Sequence, residues 1–164
     1  MTRRRLLRRA MRQGRRLRPV ADRTAAIRPG DILLAVVQRN EAVRLPHFLD
    51  WYRRLGVAHV LAVDNGSDDG SRDWLARQPD VSLWTTPDSY KRARFGIDWM
   101  NRLLRLYGAG HWCLTVDPDE FLVYPFSDTR PLPALCDWLE ASSVKSFGAM
   151  VLDMYPKGPI TAQT

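Results

Sequence analysis

"DILLAVVQ", residues 31–38, runs straight into "RNE" at 39–41. Ile32 to Val37 is the longest uninterrupted apolar run in the chain, and it is partly β-branched. That pattern fits a strand covered on both faces, as in a parallel sheet, rather than a half-exposed strand of alternating character. At six residues it is far too short to span a bilayer.

A strand covered on both faces needs helices around it, and the downstream sequence provides them. "RLPHFLDWYRRLG" (44–56) sets Leu45, Phe48, Leu49, Tyr52 and Leu55 at helical spacing, with Pro46 early and Gly56 at the close. "AHVLAV" (58–63) reads as a second strand. "DDGSRDWLARQ" (68–78) reads as a helix capped by Ser71 or Asp69, with Pro79 beyond its end. "VSLW" (81–84) is a short third strand. A helix over about 91–107 follows, with Ile97, Met100, Leu103, Leu104 and Tyr107 inward. "HWCLTV" (111–116), a helix over about 132–142 and "SFGAMVLDMY" (146–155) as a fifth strand complete the series. Strands alternating with helices predict an α/β fold with a mainly parallel sheet and right-handed crossovers.

The chain has 164 residues and is 45% hydrophobic, enough for one real core. Its net charge of +7 is unevenly placed. Residues 1–30 hold 11 Arg against one Asp, a local charge of +10, so the remainder carries −3. We therefore expect a basic N-terminal arm, 1–30, on a mildly acidic body, 31–164. Within "MTRRRLLRRAMRQGRRLRP", Leu6, Leu7, Ala10, Met11 and Leu17 fall near one side of a helix that Pro19 would end. Residues 1–18 then read as a peripheral anchor on anionic lipid, or as a solvated tail or upstream sequence from a misplaced start. A nucleic-acid arm ranks below both, because the arm has no aromatic residue to stack a base. The basic start has no apolar h-region after it, so no secretory signal is expected. Cys113 and Cys136 have no CxxC or Cys/His neighbours and read as free thiols of a reducing cytosol. The expected location is cytoplasmic, peripheral at the inner membrane surface if the arm is an anchor.

Polar segments cluster at the strand C-termini. "QRNE" (38–41) follows the first strand, "DNGSDDGS" (64–71) the second, and "DPDE" (117–120) the fourth. Ligands of such sheets gather on that rim, whereas any one segment alone is ordinary turn chemistry. The last is the most demanding. Asp117, Asp119 and Glu120 stand within four positions between apolar runs in "WCLTVDPDEFL" (112–122). Like charges so close cost stability unless something cationic sits among them. A plain solvated turn suits the cluster poorly, with Val116 and Phe121 on either side.

Arg-Asn-Glu after the first strand, "VDNGSDDGS" after the second and "DPDEF" after an apolar strand together resemble the nucleotide-sugar-dependent glycosyltransferases of the GT-A fold. The resemblance is to the family 2-like group and its family 92-like cousins with an Asp-x-Asp-Glu-Phe motif, and it covers residues 31–155. It implies a Rossmann-like nucleotide-binding half and a nucleotide-sugar donor, with UDP as the expected nucleotide. It also implies Mn²⁺ or Mg²⁺ to stabilise the departing diphosphate. By this resemblance Asp119 is the direct metal ligand, Asp117 contacts ribose or metal through water, and Glu120 supports the loop or the sugar. Asp64 accepts a hydrogen bond from the base. Asn65 and Asp68 share base or ribose contacts or cap the helix, capping being preferred for Asp68 and Asp69. Arg39, Asn40 and Glu41 line the base and ribose pocket, with a helix-start role for Glu41 nearly equal.

"SYKRARFGIDW" (89–99) matches the family's Ala-Arg-Asn-x-Gly-like stretch only at Ala93-Arg94, since Phe95 replaces the Asn and the Gly shifts to 96. Lys91, Arg92 or Arg94 at a helix start would neutralise the diphosphate, while a solvated helix start is an equal reading. His47, His59 and His111 have no ligand spacing and read as element-end residues. Trp51, Trp74, Trp99, Trp112 and Trp138 read as core, and Trp84 as the one that reaches the donor. No phosphate loop or Ser/His/Asp arrangement occurs, which argues against kinases and hydrolases. No residue matches a catalytic base, and Asp153 has no motif around it. The expectation is a partial domain that holds the donor, with an unidentified glycan, lipid or other hydroxyl acceptor. Two other readings stand: a nucleotidyltransferase, against which "QRNEAVRLP" lacks a glycine, and a non-catalytic nucleotide-binding remnant.

Overall fold

The computed structural model describes residues 8, 11 and 14–154. Most of the arm, and with it most of the amphipathic pattern of residues 1–18, lies outside the described residues. The fold is α/β, a five-stranded, mostly parallel sheet with helices on both faces.

The elements are β1 (Arg18–Ala21), a 3-10 turn (Thr24–Ala26), β2 (Leu33–Gln38), α1 (Leu45–Leu55), β3 (His59–Asp64), α2 (Ser71–Ala76), β4 (Val81–Thr85), α3 (Ile97–Tyr107), β5 (Cys113–Thr115) and α4 (Leu132–Ala141). In space the strand order is β1-β4-β3-β2-β5. β4, β3, β2 and β5 run parallel. β1 pairs antiparallel with β4, Arg18 opposite Thr85, with an irregularity between Pro19 and Ala21. The sheet thus takes in part of the segment that composition set apart as an arm. An edge strand tolerates Pro19, which has no N–H for a ladder, and so short an arginine-rich strand leaves no periodic signal.

β2 is fully buried along its length, as the apolar run predicts. Its pleat sends Leu34 and Val36 to one face and Leu33 and Val37 to the other. The first face packs on Phe48, Leu49 and Tyr52 of α1, Leu75 of α2, and Leu132 and Cys136 of α4. The second packs on Trp99 and Leu103 of α3. The chain winds outward from β2 through β3 to β4, then crosses under α3 to β5 on the other side of β2. The gap between the C-terminal ends of β2 and β5 is therefore a topological switch point, where α/β sheets open a crevice.

Three expectations change. The third long helix begins at Ile97, not near 91, because Arg94, Phe95 and Gly96 have φ of 52°, 56° and 81°. Left-handed backbone cannot continue a right-handed helix. At Gly96 a Cβ would come within 2.8 Å of Val37 Cγ2, so only glycine fits there. The strand expected over 146–155 does not form in its described part: 146–154 has no ladder partner, and Val151, Leu152 and Met154 are exposed. Apolar propensity alone does not make a strand without a neighbouring edge to pair with. Trp138 lies on the outer side of α4, 62% exposed. Among the described residues no helix is long and apolar enough to cross a membrane.

Candidate functional site

The switch-point crevice is a cleft of about 360 Å³ lined by Val37, Gln38, Arg39, Glu41, Asn65, Tyr90, Asp117, Pro118 and Asp119. The lining comes from the C-terminal ends of parallel strands and the segments after them: Val37 and Gln38 end β2, with Arg39 and Glu41 after it, Asn65 follows β3, Tyr90 follows β4 and 117–119 follow β5. Sheet topology thus gathers the three polar segments that are dispersed in sequence.

The carboxylate loop is held from behind. The Tyr52 hydroxyl donates to the Glu120 carbonyl and accepts from the Leu122 N–H, each at 3.1 Å. Burial pushes the Tyr52 phenol up to about 12. Within the loop Asp117 N–H donates to Glu120 Oε2 at 3.0 Å, and Glu120 N–H donates to the Asp117 carbonyl at 3.0 Å. Glu120 is therefore a loop brace, one of the two roles expected for it. Asp117 and Asp119 are left exposed at the cleft. The Asp117 carboxyl titrates above its usual value, first because the surrounding loop partly removes it from water, then because Glu120 and Asp119 repel the anion. The Tyr90 phenol is raised by burial and by the same two aspartates, Asp117 and Asp119. Arg39 is the cation among the lining residues.

Among the described residues, no three His, Cys, Asp or Glu side chains converge on a metal position. An all-protein cage is absent there. A magnesium-type site does not require one: it takes one or two carboxylates, the rest coming from phosphate and water. Asp117 and Asp119, under-neutralised on an exposed loop, fit a cation shared with a diphosphate and fit a free-metal site poorly.

The expected nucleotide residues divide. Arg39, Glu41, Asn65 and Asp117 line the cleft. Glu41 also opens α1: its carbonyl accepts from Leu45 N–H at 2.9 Å and its carboxylate pairs with Arg44 at 2.7 Å. Asn40, at φ 58°, is a clamp between loops, its Oδ1 accepting from Asp68 N–H at 3.0 Å and its own N–H donating to Ser67 Oγ at 3.0 Å. Asp64 is fully buried behind the lining residue Gln38 and is not itself part of the lining. Its carboxylate accepts from Gln38 Nε2 at 2.7 Å, Gly66 N–H at 3.1 Å, Ser67 N–H at 3.3 Å and Thr85 Oγ1 at 3.3 Å. Those four donors leave little acceptor capacity for a base. Arg94 lies outside the lining and pairs with buried Asp98 one turn along α3. Neither Asp69 nor Ser71 is the N-cap of α2: Gly70 holds that position, and Asp69 sits one residue before it, its carboxylate accepting from Ser71 N–H at 2.9 Å. Trp84 is buried in the core, stacked on Tyr107 at 5.7 Å, away from the lining.

Asn65 is 9% exposed, and its Nδ2 donates to the Thr86 and Asp88 carbonyls, each at 2.9 Å. Both amide protons are taken, so the side-chain oxygen is the acceptor left for the cleft. Gln38 and Pro118 belong to rim segments marked in the sequence but had no role assigned, and Tyr90 is a lining residue that the sequence did not signal. Tyr90 sits in an arginine- and lysine-rich stretch that drew attention to its charges instead.

Compared with known proteins, the chain matches no protein-family model and no curated protein.

Proposed function

We propose that the cleft binds a nucleoside diphosphate sugar with a divalent cation, and that the chain is the donor-binding part of a GT-A-like glycosyltransferase. One observation carries this reading: paired carboxylates, a free amide acceptor and an arginine meet at the switch point of an α/β sheet. In this reading Asp119 and Asp117 hold Mn²⁺ or Mg²⁺. Such a cation would supply the positive charge that offsets a departing diphosphate. Arg39 adds a second positive charge at the same end. Asn65 Oδ1 accepts the N3–H of uracil, the task first expected of Asp64, while Asp64 fixes the loop that presents it. Arg94 is reassigned from phosphate binding to holding the 94–98 turn through Asp98.

Calorimetry with UDP, with and without Mn²⁺, tests the assignment. We expect metal-dependent binding that Asp119→Ala abolishes, because one carboxylate is a large share of so small a ligand set. Equal affinity without metal, or an unaffected variant, rejects it.

A further inference from the structure

The described end of the N-terminal segment touches the cleft's supporting loop. Arg16 Nη1 donates to Asp88 Oδ1 at 2.9 Å, across 72 positions of sequence. The Asp88 side chain is 16% exposed, and its second oxygen, Oδ2, is buried without a hydrogen-bond partner among the described residues. Arg16 itself is 67% exposed, so its guanidinium reaches from the surface to a largely covered carboxylate. Asp88 in turn sits between two cleft residues. Its carbonyl accepts from Asn65 Nδ2, and its N–H donates to Thr86 Oγ1 at 3.2 Å, beside the other carbonyl that holds Asn65. Two positions on, Tyr90 forms the cleft wall facing Asp117 and Asp119. The loop 86–96 has no helix or ladder of its own and ends in the left-handed run Arg94–Gly96. Its turns are closed by the Ala93 N–H to the Ser89 carbonyl at 3.0 Å and the Phe95 N–H to the Tyr90 carbonyl at 2.9 Å, and a segment outside helix and ladder opens more readily than the sheet it flanks.

We propose that Arg16 is a positioning residue for the cleft: by holding Asp88 it sets the 86–96 loop so that Asn65 and Tyr90 stand where a nucleotide meets them. The coupling to a nucleotide rests on the function proposed above. The effect of Arg16 on the loop does not. An agent that draws the basic segment off the body would then loosen the cleft without touching it.

The experiment uses the full chain and the variants Arg16→Ala, Asp88→Asn, Arg16→Lys and exposed Arg72→Ala as control. Amide hydrogen exchange of residues 86–96 reads the loop, and calorimetry with UDP and Mn²⁺ reads the cleft. We expect Arg16→Ala and Asp88→Asn to speed loop exchange severalfold and weaken UDP about five- to tenfold, with the melting temperature nearly unchanged. Arg16→Lys restores most of both, and Arg72→Ala changes neither. Unchanged loop exchange in Arg16→Ala overturns the proposal, as does faster exchange with undiminished UDP affinity. If the unaltered chain binds no UDP, the nucleotide reading fails, and loop exchange alone decides the role of Arg16.

Discussion

Tyr52 and Glu120 are joined across the back of the cleft, the phenol of a core helix donating to the carbonyl of the carboxylate loop at 3.1 Å. The same hydroxyl accepts from Leu122 N–H at 3.1 Å, so a single side-chain oxygen fixes both ends of a short turn. The Tyr52 ring is fully buried against Phe48, at 4.9 Å between centroids. The position of Asp117 and Asp119 is thereby tied to the core. Removing the hydroxyl by Tyr52→Phe keeps the ring and leaves two backbone groups without their partner, which costs about 1–3 kcal/mol. Urea unfolding should show that loss. Binding of Mn²⁺ with UDP should weaken too, because the loop loses its anchor. A variant with full stability and full affinity would mean that water replaces the hydroxyl at no cost.

The raised Asp117 carboxyl gives the cleft a pH signature. A carboxyl that titrates above its usual value holds its proton more tightly folded than unfolded. Its contribution to stability without ligand therefore falls as pH rises through the window above 3.8. Binding runs the opposite way, since a cation needs the ionised form. Acidification into that window should weaken Mn²⁺ with UDP in the native protein. In Asp117→Asn this acid-side loss should shrink, leaving a weaker and flatter profile. Calorimetry at several pH values checks both curves.

Most of the sheet was legible because a doubly covered strand reads as one apolar run, as β2 and most of β3 do, while β4 is shorter and broken by Ser82. The rim was legible because loops after successive parallel strands lie on one side whatever their sequence. Asp64 and Asn65 show what a local pattern leaves open. Both are polar and adjacent at the end of β3, and only the turn decides which one lines the cleft. Asp64, the last residue of β3, points into the layer shared with Gln38. Asn65, one residue on, is part of the cleft lining. Arg94 is a comparable case, since its partner Asp98 is visible in sequence but the left-handed turn that joins them is not. β1 left no signal, being four residues long with one proline.

His59 sits at the opposite end of the sheet from the cleft and gives the fold an acid limit of its own. It is 3% exposed and lies 2.9 Å from Ser82 Oγ, which also accepts the Arg23 N–H at 2.9 Å. Burial lowers its pKa. Arg23 acts in the same direction, and the carboxylates Asp80, Asp31 and Asp22 oppose both without cancelling them. A base whose folded pKa is depressed binds fewer protons folded than unfolded. Its penalty is absent well above 6.5 and grows as pH falls below it. Urea midpoints should therefore drop between pH 7 and pH 5, before ordinary carboxylates titrate. His59→Gln, which keeps a hydrogen-bonding end but does not titrate, should remove most of that drop. The same decline in the variant would assign it to other groups.

The basic segment separates into two tests because Arg16 is bonded to the body while most of the residues before it lie outside the described part of the chain. If residues 1–18 anchor the protein on anionic lipid, the full chain should float with vesicles containing phosphatidylglycerol and come off as salt rises, each arginine near the surface contributing about 1 kcal/mol. Removing residues 2–13 deletes Arg3, Arg4, Arg5, Arg8, Arg9 and Arg12 and keeps Arg16. That variant should lose flotation yet bind UDP with Mn²⁺ like the full chain, because the Asp88 contact is intact. Arg16→Ala should do the reverse, floating nearly as well while binding nucleotide more weakly. Screening explains why salt reads the first effect: exposed charges more than about 8–10 Å apart hardly interact at physiological ionic strength. Flotation that survives the deletion would move lipid binding to the body, where Met150, Val151, Leu152 and Met154 stand exposed. A full chain that ignores vesicles but binds DNA with a steep salt dependence would replace the anchor with a nucleic-acid arm.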